Sequence, residues 1–283
     1  MLRQGEPYAI GSRLFEILLE ELRFHRVSHR YLSEKEFKVL CRYYSSWLKD
    51  QSQFYYKHYF AQRLKELIKC IVTSKQTRVL DCGCGPGSES ILCALLGAQV
   101  SAIDLNKERI NIAKKRLRYY EDKFCKELPV TFDIKNILEC QFDQQFDVAY
   151  AQEFISHVHP LTTFLQTVRK SIKKGGVLIV SDANPINLYQ NLKAWLTYQK
   201  AHFKVYELGP SDKVLVARER LVTPYHLKKL LERFGFKTEL INYHGFLPNI
   251  PVRCNIDFLR TWESRKNPLH VFGAIYDIVA VKL

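Results

Sequence analysis

Three glycines at alternate positions, Gly83, Gly85 and Gly87, follow a short apolar run in the stretch VLDCGCGPGSES, residues 79–90. Between a buried strand and a helix, such a loop lets backbone N–H groups come close to a ligand, and the helix N-terminus adds positive potential. Dinucleotide-binding loops favour the spacing G-x-G-x-x-G, whereas this loop has G-x-G-x-G with Asp81 just before it. The loop therefore indicates a nucleotide-type site without the turn that holds a pyrophosphate.

A second polar position is Asp104, which ends the strand-like run AQVSAID and is followed by a helical stretch. A carboxylate at this edge of a sheet can accept hydrogen bonds from both vicinal hydroxyls of a ribose, each worth about 1.5 to 3 kcal/mol. The alternative interpretation is that Asp104 is the N-cap of the helix KERINIAKK.

Strand-like runs and helical stretches alternate along most of the chain and must position these residues. Apolar residues at helical spacing first predict a helical leader from residue 8 to about residue 73. The strand-like runs that follow are TRVLDCG, AQVSAID, LPVTFDI, FDVAYAQ and GGVLIVSD, and the helical stretches are SESILCALLG, KERINIAKKRLRYYEDK and PLTTFLQTVRKSIKK, the last ended by KKGG. This alternation predicts an α/β fold with a mostly parallel, doubly wound sheet.

The alternation pauses after Asp182 for about 40 residues, far more than the usual connection in such folds. Thr223 and Pro224 then start a new helix. A connection of this length predicts a lid or substrate-binding insertion over residues 186–222, in which aromatic residues line a pocket: Tyr189, Trp195, Tyr198, Phe203 and Tyr206.

Four motifs in order, DCGCGPG, SAIDLN, FDVAYAQEFISHV and LQTVRKSIKKGGVLIVSDANP, together resemble a class I S-adenosylmethionine-dependent methyltransferase over roughly residues 75–283. The resemblance implies a Rossmann-like seven-stranded sheet of order 3-2-1-4-5-7-6 whose last strand is antiparallel. It also implies S-adenosylmethionine as cofactor and S-adenosylhomocysteine as product. We therefore expect a leader over residues 1–73 and a methyltransferase domain over residues 74–283.

The resemblance also assigns cofactor-binding residues to this chain. It implies that the glycine loop holds the methionine part of the cofactor, that Asp104 binds the ribose, and that Asn136 with the backbone N–H of Ile137 reads the adenine. Members of the family that the chain resembles more often have Asp where this chain has Asn136. The alternative to an adenine-reading role is a loop Asn that bonds its own backbone. The cofactor-binding residues expected in this way are Asp81, Gly83, Gly85, Gly87, Asp104, Leu105, Asn136, Ile137 and Gln152.

The stretch AQEFISHVHP resembles the family segment that faces the transferred methyl group. His157 is the first candidate for a general base because an imidazole titrates near neutral pH. Glu153 is the second candidate and His159 the third, and a purely structural histidine is the alternative. No metal site is expected, because Cys82 and Cys84 lack a second ligand pair at zinc spacing, and the eight cysteines are interpreted as reduced thiols.

The function expected from these features is methyl transfer to a small-molecule or lipid-like acceptor, at oxygen. An RNA methyltransferase is the alternative, supported by 43 Lys and Arg against 29 Asp and Glu and a net charge of +14. A non-catalytic partner subunit with the same fold is a third hypothesis, and a dehydrogenase is disfavoured by the glycine spacing. The basic charge is equally consistent with solvated helix faces, so we expect at most weak, non-specific nucleic-acid binding.

Further expectations concern the leader and the location of the protein. Aromatic side chains of the leader, namely Trp47, Tyr55 and Tyr56, either cover the cofactor's sulfonium by cation–π contact or belong to the core. No apolar run of about 18 residues is present to span a bilayer, and the first residues do not resemble a secretory signal. A cytoplasmic protein is therefore expected, with its oligomeric state left open.

Overall fold

The fold is described from a computed structural model over residues 3–28, 30–45, 47–48, 53–74, 76–198, 203–207, 213–217, 221–245, 261, 263 and 267–283. The helices are α1 (Pro7–Ser28), α2 (Glu34–Tyr43), α3 (Gln53–Thr73), α4 (Ser88–Leu95), α5 (Lys107–Phe124), α6 (Leu161–Ser171), α7 (Leu188–Tyr198) and α8 (Pro224–Arg233). The strands are β1 (Arg78–Cys82), β2 (Gln99–Asp104), β3 (Val130–Ile134), β4 (Phe146–Gln152), β5 (Ile172–Ala183), β6 (Phe203–Glu207), β7 (Lys213–Ala217), β8 (Phe236–His244) and β9 (Ile275–Lys282). Helices and strands alternate from β1 to β3 and again from β4 to β6, and the chain passes from β3 to β4 through the 3-10 turn Ile137–Glu139.

Seven of these strands form one sheet in the order β3-β2-β1-β4-β5-β9-β8. Strand β2 is parallel to β1 and β3, β4 is parallel to β5, and β9 is antiparallel to both β5 and β8. Among the described strands, β6 and β7 pair with each other as an antiparallel hairpin. Without this hairpin, β8 and β9 are the sixth and seventh strands of the main sheet, and the predicted order 3-2-1-4-5-7-6 with its last strand antiparallel is confirmed.

Backbone contacts divide the chain into two compact units, Met1–Lys135 and Asn136–Leu283. The first unit contains the helices and strands from α1 to β3, and the second contains those from β4 to β9. The predicted division of the chain at residues 73 and 74 stays a prediction.

The first unit has a core in which the leader is fully packed. The expected helical leader is present as α1, α2 and α3, and Leu14, Leu18, Phe60 and Leu64 are almost completely buried. Hydrophobic residues at helical spacing on α1 and α3 account for this, because each helix buries the stripe that they form. The leader therefore belongs to the core of the first unit.

A buried ionic network ties α1 of the leader to α5 and to the glycine loop. The Nε and Nη2 atoms of Arg116 each donate to a carboxylate oxygen of Glu21 at 2.6 Å, and Nη1 donates to the carbonyl oxygen of Pro86 at 2.5 Å. Tyr120 Oη also donates to Glu21, at 2.8 Å. Glu21 and Arg116 are both fully buried, so both charges are removed from bulk solvent.

In the second unit, the expected end of the helical stretch PLTTFLQTVRKSIKK at KKGG is wrong. Helix α6 ends at Ser171 and the chain enters β5 at Ile172. Phe146 of β4 pairs with Ile172, but Val148 pairs with Val177, so residues 173–176 bulge out of the strand. A Cβ atom on Gly176 would lie 2.3 Å from Ile172 Cγ2, so this glycine is required by close packing within the bulge and not by a helix end.

Candidate functional site

The glycine loop connects β1 to α4 and is held to the end of β2. Gly83, Gly85 and Gly87 have φ angles of +79°, +54° and +79°, which side-chain-bearing residues rarely adopt. The backbone N–H groups of Gly83 and Cys84 donate to the carbonyl oxygen of Ile103 at 2.7 and 3.0 Å. The predicted alternation of glycines therefore produces a left-handed loop anchored on the neighbouring strand.

The second and third glycines of the loop also meet close neighbours. A Cβ atom on Gly87 would lie 2.7 Å from the ring of Phe132 and 2.8 Å from Ala113 Cβ, so the absence of a side chain lets the loop pack onto β3 and α5. A Cβ atom on Gly85 would lie 3.0 Å from the hydroxyl of Tyr43, at the end of α2. Sequence reasoning missed Tyr43, because no local pattern shows that the leader reaches this loop.

Asp104 is bonded to the glycine loop and to the turn that follows β2. Its Oδ2 accepts from the N–H of Gly85 at 2.9 Å, and its Oδ1 accepts from the N–H of Asn106 at 2.7 Å. The N-cap of α5 is Asn106, whose Oδ1 accepts from the N–H of Arg109 at 2.9 Å. The helix-cap interpretation of Asp104 is therefore wrong, and Leu105 is a half-buried residue between the two acceptors.

Asp81 is buried at the end of β1 and accepts a short hydrogen bond from Ser90 Oγ of α4. Burial raises the pKa of the Asp81 carboxyl to about 7, and the nearby charges of Glu89 and Asp104 add to the rise. The first unit thus brings Asp81, Asp104 and the three glycines together around one loop. Two carboxylates beside this loop suit a ligand that carries hydroxyl or ammonium donors.

In the second unit, the predicted catalytic residues lie on one turn after β4. Glu153 is exposed, has a left-handed φ of +44°, and donates its N–H to the carbonyl oxygen of Ser181 at 2.7 Å. His157 is exposed at the end of the 3-10 turn Ile155–His157. Gln152, the last residue of β4, accepts a hydrogen bond from the hydroxyl of Tyr150. Gln152, Glu153 and His157 thus lie on one segment after the body of β4, and their roles stay predictions.

Asp182 holds this turn in place and was missed by sequence reasoning. Its Oδ2 accepts from the N–H of Ser156 at 3.0 Å, and its Oδ1 accepts from the N–H of Ala183 at 2.7 Å. Burial raises the pKa of its carboxyl to about 6. An acid at the end of a strand, the signal that identified Asp104, is also present here at the end of the strand-like run GGVLIVSD.

Asn136 precedes the 3-10 turn Ile137–Glu139 and uses both ends of its amide locally. Its Oδ1 accepts from the N–H of Leu138 at 3.1 Å, and its Nδ2 donates to Glu139 Oε1 at 2.6 Å. The local-bonding interpretation of Asn136 is therefore confirmed, although a carbonyl oxygen keeps a second lone pair. Ile137 is buried beside it, and the adenine-reading role of both residues stays a prediction.

Aromatic residues of the leader and of the insertion are candidates for covering a ligand, but the structure gives Trp47, Tyr189 and Trp195 other surroundings. The ring of Trp47 lies 5.8 Å from that of Phe15, 5.6 Å from that of Phe60 and 6.0 Å from that of Tyr56, which places it in the aromatic core of the leader. Tyr189 and Trp195 of the insertion are 59% and 66% exposed, so they do not line an enclosed pocket. The side chains of Tyr198, Phe203 and Tyr206 lie outside the described residues.

The cysteines of the glycine loop are buried. Cys82 and Cys84 are reduced thiols, and burial raises the pKa of the Cys84 thiol well above its ordinary value. Over the described parts of the chain, no group of three or more His, Cys, Asp or Glu residues is arranged to hold a metal ion. Within the same parts of the chain, no helix combines the length and the apolar character needed to span a bilayer.

Comparison with known proteins gives one family match and several similar proteins. Residues 73–235 match the family model described as a methyltransferase domain. The chain is 33% identical over 121 residues to a ubiquinone biosynthesis O-methyltransferase from Proteus mirabilis, covering 42% of this chain and 44% of that protein. It is 35% identical over 109 residues to a protein of the same name from Xanthomonas oryzae, covering 38% and 43%. The matches thus span less than half the length of these curated relatives.

Solved structures with the same fold are also similar to the chain. A SAM-dependent methyltransferase from Archaeoglobus fulgidus superposes with a TM-score of 0.54 and 19% identity, covering 78% of this chain and 92% of that one. Magnesium protoporphyrin IX methyltransferase from Synechocystis, solved with bound SAH, superposes with a TM-score of 0.56 and 15% identity, covering 89% and 96%. At these identities the similarity establishes the fold.

Proposed function

The chain belongs to the methyltransferase-domain family, and on that premise we propose that it transfers the methyl group of S-adenosylmethionine to the oxygen of a small-molecule or lipid-like acceptor. The predicted class, an S-adenosylmethionine-dependent methyltransferase of class I fold, is confirmed by the family match and the sheet order. The observation that carries the proposal is the hydrogen bond from Gly85 N–H to Asp104, which joins a glycine loop to a carboxylate at the strand ends. The O-methyltransferase relatives support an oxygen acceptor.

The glycine loop and its two carboxylates fit the proposed cofactor. Asp104 would accept from the ribose hydroxyls with lone pairs that its backbone partners leave open, and the backbone of the loop would lie against the methionine part. Asp81 would pair with the ammonium group, whose positive charge compensates a buried carboxylate. The cofactor supplies a methyl group already activated on a sulfonium, so the chain mainly has to align the acceptor and exclude water.

His157 and Glu153 are the proposed acceptor-side residues. Either side chain would take the proton from an acceptor hydroxyl, and Asp182 would hold the turn on which both lie through its bond to Ser156 N–H. Asp182 acts through this turn and is therefore a positioning residue.

An RNA acceptor is the second candidate, and the net charge of +14 is the observation that favours it. Labelled methyl groups from S-adenosylmethionine should be traced in a fractionated cell extract at low and moderate salt. We expect label in small molecules or lipids at both salt concentrations. Label chiefly in RNA that falls steeply with salt would establish the second candidate instead. A cytoplasmic location is part of the same proposal.

The protein is expected to bind S-adenosylhomocysteine and not NAD, because its loop has the spacing G-x-G-x-G and lacks the turn for a pyrophosphate. Isothermal titration calorimetry with the two ligands measures this directly. NAD binding that is tighter than S-adenosylhomocysteine binding would contradict the proposed cofactor.

The affinity for S-adenosylhomocysteine is expected to increase about tenfold from about pH 6 to about pH 8. The pKa of Asp81 in the free protein is about 7, so the carboxyl is mostly protonated at the lower pH and must lose its proton to pair with an ammonium group. Binding should therefore release a proton below that pKa and become independent of pH above it. Calorimetry in buffers of different ionisation enthalpy measures the released proton.

The matched variant for this measurement is Asp81→Asn, which keeps an acceptor for Ser90 and removes the titration. Its affinity should be lower and nearly constant over the same pH range. The same pH dependence in this variant would assign the titration to another group.

A further inference from the structure

Helix α7 exposes an apolar face that the rest of the described structure leaves uncovered. Leu188 is 83% exposed, Leu192 56%, Trp195 66% and Leu196 58%. Their spacing of four, three and one residues places them on one side of a helix. Soluble proteins scatter exposed apolar residues singly, and a continuous stripe on one helix marks an interaction surface.

A second exposed apolar segment adjoins the start of this helix. Asn184 Nδ2 donates to the carbonyl oxygens of Val271 and Gly273 at 2.9 and 2.8 Å, and Asn187 Nδ2 donates to that of Phe272 at 2.7 Å. These bonds hold the 3-10 turn Pro268–Phe272 against the start of α7. Leu269 and Phe272 of the turn are 46% and 44% exposed. We define the apolar side chains of α7 and of this turn together as the α7 surface.

The α7 surface is fixed to the edge of the sheet at which β5 ends. Ala183 is the last residue of β5, and the N–H of the next residue, Asn184, donates to the carbonyl oxygen of Ala274 at 2.9 Å. The turn with Glu153 and His157 is held to the same end of β5 through Ser181 and Asp182. A ligand held on the α7 surface would therefore lie beside the end of the strand that supports the proposed acceptor-side residues.

The first 21 residues of the insertion carry positive charge only, and its acids begin at Glu207. Residues 186–206, INLYQNLKAWLTYQKAHFKVY, contain three Lys and one His and no Asp or Glu. A segment whose sequence combines apolar and aromatic residues with lysines suits the interface of a bilayer, where Trp and Tyr lie at headgroup depth and lysines meet anionic headgroups. The net charge of +14 adds attraction to the same partner.

We propose that the α7 surface docks on an anionic lipid bilayer and that the enzyme takes its acceptor at the membrane surface. The docking follows from the exposure and charge of this region, whereas the use of the bilayer as the source of acceptor rests on the proposed function. Because α7 would lie in the headgroup region with its axis along the membrane, the interaction is peripheral and reversible.

Sedimentation of the full chain with lipid vesicles tests the proposal. We expect binding to vesicles of equal parts phosphatidylglycerol and phosphatidylcholine, and binding about tenfold weaker or more to phosphatidylcholine alone. The double variant Leu188→Ser, Leu192→Ser should lose about tenfold or more of the affinity for the anionic vesicles. The matched control is Tyr225→Ser, which removes a 65% exposed aromatic side chain from α8 and should bind as the unchanged protein does.

S-adenosylhomocysteine affinity, measured on the same proteins, separates this proposal from the proposed function. Normal cofactor binding without vesicle binding would overturn the docking and leave the proposed function intact. Vesicle binding without cofactor binding would overturn the proposed function alone. Equal vesicle binding by the double variant and the unchanged protein would also overturn the docking. The docking would also be overturned if light scattering showed that the unchanged protein is a dimer and the double variant a monomer. The α7 surface would then bind a second copy of the chain.

Discussion

Replacing Arg116 with methionine is expected to lower the free energy of unfolding by about 3 to 5 kcal/mol. The variant leaves the Glu21 carboxylate fully buried without its two hydrogen bonds from the guanidinium, and it leaves the carbonyl oxygen of Pro86 without its bond from the same group. Removal of one partner from a buried pair costs more than the pair contributes, because the surviving charge has no water to solvate it. Chemical denaturation followed by circular dichroism measures the change.

Two controls accompany the Arg116 variant. In the double variant Glu21→Leu, Arg116→Met, both charges are absent, and stability should recover by a large part of the loss, because apolar replacement of a buried pair is often neutral. Lys38→Met removes one partner of the exposed pair of Lys38 with Glu34 on α2 and should change stability by less than about 0.5 kcal/mol. A loss below about 1 kcal/mol for Arg116→Met would show that Glu21 is solvated or protonated when its partner is absent.

Asp104→Ala is expected to weaken binding of S-adenosylhomocysteine by about 2 to 4 kcal/mol. Two charge-assisted hydrogen bonds to ribose are lost, and the N–H of Gly85 loses the acceptor that anchors the loop. The variant should stay folded, because its carboxylate is only partly buried and its partners are backbone groups near the surface. Calorimetric titration gives the affinity, and circular dichroism checks the fold.

The matched control for Asp104 is Asn106→Ala, two residues further along the same turn. It removes the N-cap of α5 and should lower stability by about 1 kcal/mol while leaving the cofactor affinity almost unchanged. If Asp104→Ala behaved in the same way as Asn106→Ala, the carboxylate would have a purely structural role.

The sequence allowed the glycine loop and Asp104 to be predicted because both follow directly from local patterns. A strand followed by alternate glycines, and a strand ended by an acid, locate residues at one edge of a parallel sheet without knowledge of distant contacts. Asp182 carries the same local signal at the end of GGVLIVSD, but the long insertion that follows it obscures the strand end. The order of the sheet came from the resemblance of four motifs and not from periodicity.

Other features could not be predicted because they depend on contacts between distant residues or on competing local signals. Glu21 and Arg116 are 95 residues apart, and no spacing rule relates them. Lys173, Lys174 and two glycines match the pattern of a helix end, yet pairing with β4 makes them a bulge at the start of β5. The aromatic residues of the insertion were interpreted as pocket lining because composition reports apolar character and not exposure.

The Glu21–Arg116 pair also limits which leaders this chain can accept. A chimera that joined the leader of a relative to residues 74–283 of this chain would keep Arg116, and it would fold well only if the new leader placed an acid beside it. The acid and the base therefore have to be inherited or engineered together, although they lie 95 residues apart. In the exchange of parts between such enzymes, this pair acts as a compatibility requirement that leader length and helix content do not reveal.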